Sequence, residues 1–287
     1  MLESHVADSL ETLAYNFLLG LDRHDAPARV WHYAPADGVL GILRSGRLWM
    51  TSSRRMEDKE EINWGNQSVC NAAQDVINSL GSSPALEMML NDRNATLFMR
   101  EDEMFIACFT EAADAADHWA RNSGSKGGAA IVFRTSALMT LARSDGGTAL
   151  LKVFYDASAI RRLADDYFRA VIDFAGRAQS DDSTSESSRR HIAQVLMEPG
   201  VLAFASKQPA WAWEREWRII IRTSTRLPPM DSSRRRELPL PTGPSGAIEE
   251  IVVAPDAPRN LEAQIREQLA ANWNEDGVRV RRSSACL

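Results

Sequence analysis

Residues 29–53, RVWHYAPADGVLGILRSGRLWMTSS, constrain the fold more tightly than any other stretch of the chain. Strand alternation over the first run puts Val30 and His32 on one side and Trp31 and Tyr33 on the other. Asp37 fits a helix N-cap, and Val39, Leu40, Ile42 and Leu43 make one apolar face. Gly46 suits a left-handed helix end. Arg47 to Thr51 then restarts as a strand. A strand, helix and second strand are joined with little spare chain, which places an aromatic pair and a histidine beside a tightly connected helix.

Further along, SSRRMEDKEEINWG is polar and predicts a surface crossing, with helices expected at Ser68 to Leu80 and Pro84 to Leu90. MFIACFTE, AAIVFRT and LLKVFY read as strands. HWARN carries a short helix into the turn GSKGG, and a further helix or turn lies around Ser136 to Arg143. Ala157 to Phe174 and His191 to Phe204 have helical periodicity, separated by the serine-rich RAQSDDSTSESSRR. IEEIVVAP, the helix Asn260 to Ala271 and GVRVRRSS form a closing strand, helix and strand. The resulting expectation is an α+β fold with two parts: an N-terminal helical extension over 1–29, and one mixed domain over 30–287 with a split, curved sheet. Insertions are expected around 68–95, 157–204 and 225–246. The glycine fingerprint and regular repetition of a doubly wound dinucleotide fold are missing.

A formal charge of −6 over 287 residues argues against non-specific nucleic-acid binding through a basic surface, while leaving room for a local basic groove. Cys70, Cys108 and Cys286 are odd in number and lack CxxC spacing, which fits a reducing cytoplasm rather than a disulfide framework. The first 25 residues read as an amphipathic helix, not a signal peptide, and no apolar run approaches a membrane span.

Chemistry concentrates in WAWEREWRIII. Read as one strand, it sets Glu214, Glu216 and Arg218 on one face and Trp211, Trp213, Trp217 and Ile219 on the other. Neighbouring ionised carboxylates repel, so such a face calls for a cation, a ligand hydroxyl or a raised pKa; the bland alternative is a solvated strand paired by arginine. His32 could hydrogen-bond a sugar hydroxyl or merely a backbone carbonyl. The five histidines are scattered, without HExxH, so no metal site is expected; the carboxylates of EDKEE read equally as an exposed acidic turn. GSKGG lacks the phosphate-loop pattern, no GxSxG is present, and Cys108 reads as an apolar strand side chain.

In order and content, the HY strand, ILRSGRLWMTSS, RMEDKEE, FIACFTE, HWARNSGSKGGAAIVF, Lys207 and WEREWRIII resemble the DUF2971 family from about Val30 to Ala254. Met56 to Lys59 lack the asparagine and proline usual there, and Arg121 and Asn122 also depart from the pattern. The same order is more distantly similar to ADP-ribosyltransferase-like folds. That similarity implies NAD as cofactor, with His32 on its ribose or backbone and Tyr33 or Trp49 stacked on a ring. Lys207 or Arg218 would neutralise phosphate, Glu216 would stabilise charge at the anomeric carbon, and Glu214 would orient or deprotonate an acceptor. The implied activity is ADP-ribosyl transfer to a protein or nucleic-acid acceptor, as a toxin or anti-phage effector. Two alternatives remain: a non-catalytic defence-associated or regulatory binding module, and a metal-dependent nuclease or other phosphate-processing enzyme using EDKEE and the late glutamates.

Overall fold

The strand, helix and strand expected at the start of the domain form as read. β1 spans Arg29–Pro35, α1 Ala36–Ser45 and β2 Arg47–Ser52. The structure is a computed structural model that describes residues 26–55, 59–80, 103–125, 127–144, 148–178, 201–223, 236–242, 246–273 and 277–285. Gly46 closes α1 at φ 66°, its N–H donating to the Ile42 carbonyl at 2.9 Å, as its lack of a Cβ permits. Pro35, not Asp37, stands at the N-cap; Asp37 lies one position into the first turn, where its charge complements the helix dipole.

Beyond a short 3-10 turn the described elements continue as α2 (Lys59–Leu80), β3 (Glu103–Thr110), α3 (Ala116–Asn122), β4 (Gly128–Arg134), α4 (Thr135–Ser144) and β5 (Thr148–Lys152). Then come α5 (Ala157–Ala178), α6 (Val201–Phe204), β6 (Glu216–Thr223), β7 (Arg236–Pro239), β8 (Ile248–Val253), α7 (Arg259–Asn272) and β9 (Arg279–Arg282). The expected N-terminal helix, the Pro84 to Leu90 helix and the serine-rich stretch fall outside the described residues.

The strands form one open mixed sheet in the order β5-β6-β3-β1-β4-β8-β9, with β2 joined to β3 and β7. Pairings are antiparallel except β8 with β9. The mixed α and β architecture read from the sequence therefore stands. β3 changes neighbour along its length: Thr110 pairs with Trp31 of β1, while Phe105 and Ile106 pair with Ser52 and Thr51 of β2. Where β1 and β2 diverge, His32 Nδ1 donates to the Cys108 carbonyl at 2.8 Å, supplying from a side chain what a ladder bond would otherwise provide.

Two expectations need correction. The acidic run assigned to a surface crossing starts α2, whose inner positions Ile62, Val69, Ala72, Ala73 and Val76 are buried at helical spacing. Part of the insertion around 225–246 is not loop: Leu238 of β7 is buried and pairs with Leu48 of β2.

β4 is buried almost throughout, so its GAAIVF run is the signature of a central strand covered on both sides. The larger core joins Val30, Ile42, Leu43, Phe133, Ile251 and Ile265. A smaller one, under α2 and α6, joins Ile62, Met104, Ile106, Phe204 and Ile220. Gly65 lets these two helices meet, because a Cβ there would stand 2.6 Å from Ala203 Cα and 2.0 Å from Ser206 Oγ. Gly65→Ala is expected to cost about 1–3 kcal/mol through overpacking, read as a lower thermal midpoint. Gly277→Ala, which meets nothing within 4 Å, should leave the midpoint in place.

Candidate functional site

Alternation along the paired strands decides which side chains can meet. Trp31 opposes Thr110, and Thr110 opposes Glu216 as Cys108 opposes Arg218. Trp31, Tyr33, Cys108, Thr110, Glu216 and Arg218 therefore face one way, and His32 faces the other, its ring 5.8 Å from Phe109. Burial lowers the His32 pKa against the opposing effect of its bond to the Cys108 carbonyl, which fits a neutral imidazole bracing the split. His32 and Glu216, both assigned to one NAD site in the sequence reading, thus lie on opposite faces of the sheet. Trp49 is also committed elsewhere: a Cβ on Gly41 of α1 would lie 2.3 Å from its ring.

WAWE, expected as strand, is a 3-10 turn over Pro209–Glu214. Pro209 at its first turn favours a helical start, and Arg215 at φ 44° swings the chain into β6. Glu214 thereby leaves the strand ladder but still comes within reach of Glu216 through a shared cation. Lys207 Nζ lies 2.5 Å from Glu214 Oε2, 3.4 Å from Glu216 Oε2 and 3.5 Å from Glu61 Oε2. Glu61, the last carboxylate of EDKEE, does join the late glutamates, as the phosphate-processing alternative grouped them, but through Lys207 and Arg218.

Arg218 lies beneath this group at 1% exposure. Its Nε and Nη2 donate to the two oxygens of Glu216 at 2.8 and 2.9 Å, Nη1 donates to the Phe204 carbonyl at 2.7 Å, and Nη2 also reaches Glu61. Burial alone would raise the Glu216 pKa, but Arg218 and then Lys207 outweigh it and hold the carboxyl at about 2. The same carboxylates push Lys207 and Arg218 upward against their own burial. Glu216 is thus an ionised, doubly bonded strut. Cys108 is kept a thiol by desolvation among the surrounding protein atoms and by the nearby Glu216 charge.

The open side of the cluster is aromatic. Arg121 of α3 lies 3.5 Å from Glu214 Oε1, with its guanidinium 4.3 Å from the centre of the Trp211 ring and 6.0 Å from that of Trp213. Trp213 is 40% exposed and, with Asp117, Ala120 and Arg121, lines an open hollow of about 520 Å³. Behind Trp213, its ring centre 5.3 Å away, is His118, stacked in turn on Tyr33 at 5.0 Å. The Tyr33 hydroxyl donates to the Ala112 carbonyl and accepts from the Ala115 N–H, fixing that ring. Tyr33 therefore joins the site at one remove, through His118.

Nearby, Asp114 takes φ 46° and gathers the final strand: its carboxylate accepts from Trp119 Nε1 at 2.9 Å and Arg281 Nη1 at 3.0 Å, and also from Ser283 Oγ. Among the described residues, no group of three His, Cys, Asp or Glu side chains is placed to hold a metal ion. At the point where three carboxylates converge, the ammonium of Lys207 supplies the positive charge.

Residues 118–219 match the DUF2971 family model. DUF2971 is described as a protein of unknown function, and the matched segment opens at His118 and contains Arg121, Lys207, Trp211, Trp213, Glu214, Glu216 and Arg218. The match is shorter than the stretch on which the sequence resembled the family; it covers most of the residues that build this site, with Glu61, Tyr33 and Asp117 outside it. No curated protein and no solved structure gave a significant match to the chain. No described helix is long and apolar enough to cross a membrane.

Glu216 ionises more readily in the folded protein than in the unfolded chain, so its contribution is complete above about pH 4.5 and is lost as pH falls toward about 2. Protonating it strands the Arg218 guanidinium. Glu216→Gln should lower stability at pH 7 by roughly 3–5 kcal/mol and flatten the acid limb of a stability–pH profile measured by urea denaturation; an unchanged limb would contradict the strut assignment.

Proposed function

We propose that the chain is an NAD+-dependent ADP-ribosyltransferase whose working carboxylate is Glu214. The observation that carries this reading is the position of that carboxylate between Lys207 and Arg121, which itself lines the hollow and lies over the Trp211 ring. A carboxylate so placed can stabilise the positive charge that develops at an anomeric carbon as a cationic ring leaves. An aromatic wall can stack a planar base, and Arg121, with half its side chain exposed, can meet a phosphate. When bound, NAD+ would supply the glycosidic bond that breaks.

The role first given to Glu216 passes to Glu214: both oxygens of Glu216 are bonded to the buried Arg218, whereas Oε1 of Glu214 faces the half-exposed Arg121 at 3.5 Å. Glu216 becomes a positioning residue that holds Lys207, and Arg218 lies too deep to meet a ligand phosphate. A protein or nucleic-acid acceptor would approach over Trp213 and Arg121. The toxin or anti-phage setting belongs to the same proposal.

The locked Glu216–Arg218 pair favours a second reading, a binding module that uses the same hollow without turnover. Nicotinamide release from NAD+ by the purified protein, with protein and nucleic-acid acceptors supplied, separates the two. Under the leading reading Glu214→Gln lowers release by about 100-fold or more with the fold retained. Tight NAD+ binding with no release from any acceptor mixture would select the binding module, and neither binding nor release would end both readings.

A further inference from the structure

Among the described residues that pack against Trp213, His118 leaves a polar atom unmatched. It is 6% exposed, and its Nε2 is buried without a hydrogen-bond partner. Leaving such an atom unmatched costs about 1–3 kcal/mol. The inner side of the ring is fixed by the stack on Tyr33, whose hydroxyl is held at both its donor and its acceptor positions. The outer side is covered by Trp213, tilted at 51° and 40% exposed. Trp213 sits in the 3-10 turn that ends at Arg215, a non-glycine residue at φ 44°. A fixed inner wall, an unmatched nitrogen and a partly exposed cover thus occur in sequence.

We infer that Trp213 is a movable cover over a hydrogen-bonding subsite built on His118 Nε2, and that this subsite takes a ribose hydroxyl of a nucleotide whose phosphate lies against Arg121. The inference rests on reading the hollow as the ligand site, and it adds which group recognises the sugar. A ribose hydroxyl is the matching chemistry because it can donate to or accept from an imidazole nitrogen without bringing charge into the buried site. His118 faces Glu214 and Glu216, which favour its protonated form, as does Asp117 on its own helix; Arg121 opposes it, and burial outweighs the carboxylates, lowering its pKa. The ring is therefore neutral near pH 7. Arg121, stacked on Trp211, gives the anionic end of the ligand a cation that is already oriented. Displacing Trp213 removes one tilted ring contact from His118 while leaving the Tyr33 stack intact.

The test measures carbethoxylation of His118 by diethyl pyrocarbonate, followed at the peptide level by mass spectrometry at neutral pH, which requires no turnover. In the wild-type protein the covered ring should react slowly, and Trp213→Ala should speed modification by about tenfold or more, as expected when a local opening step is removed. NAD+ or adenosine monophosphate should slow the modification of His118 further in the wild-type protein, and His118→Phe should weaken NAD+ binding by about tenfold, the value of one matched buried polar group. An unchanged rate in Trp213→Ala would overturn the cover. A faster rate without nucleotide protection, or NAD+ affinity unaltered in His118→Phe, would overturn the subsite. Protection by nucleotide in a protein that never releases nicotinamide would uphold this inference while the transferase reading fails.

Discussion

A guanidinium buried beneath two helices is the constraint around which this molecule is arranged. Arg218 can stay at 1% exposure only because Glu216, Glu61 and the Phe204 carbonyl all meet it. Those partners come from β6, from the start of α2 and from α6, so one charge fixes the relative placement of three elements. The smaller apolar core of Ile62, Met104, Ile106, Phe204 and Ile220 surrounds it and keeps water out. Exclusion of water makes the carboxylates obligatory: a buried pair is weak evidence of added stability, but removal of one partner is costly. Lys207 extends the arrangement outward, carrying the charge pattern from Glu216 to Glu214 and so to Arg121 at the hollow.

The split of the sheet is the second organising feature. β3 cannot remain paired with both β1 and β2, and the carbonyl of Cys108 falls where they part. His32 fills that need from the opposite face, which separates its role from the acidic cluster by the thickness of a strand. Two groups whose chemistry would suit each other are thus kept apart by period-two alternation alone.

That separation was legible in the sequence, since Val30 and His32 were read on one side and Trp31 and Tyr33 on the other. What single-strand alternation could not supply was the relative face of β1 and β6, which depends on the register of β3 between them. The β1–α1–β2 unit was legible because its apolar spacing and its Gly46 helix end are local, although its N-cap was misplaced at Asp37. The WAWE turn was not: alternating tryptophans imitate a strand, whereas Pro209 and the positive φ of Arg215 impose a tight turn. EDKEE was read only as a group, and which of its carboxylates turns inward was not; Ile62, Val69, Ala72, Ala73 and Val76 trace the buried stripe beside Glu61. His118 and Arg121 carried only a one-turn spacing, and their meeting with Trp213 is a tertiary event with no local signal.

The grip of Asp114 on the final strand bears on how the chain is made. Asp114 stands just before α3, which carries His118 and Arg121, yet its partner Arg281 is 167 residues away in sequence. β9 also joins β8 as the parallel pair of the sheet, a pairing that the helix α7 must first carry it around to reach. A ribosome that has released residues 118–219 has therefore delivered the DUF2971 segment without the anchor that ties down the entry to α3. Completion of the hollow is timed by translation: it waits for Arg281 to emerge, long after the last of its own walls has been synthesised.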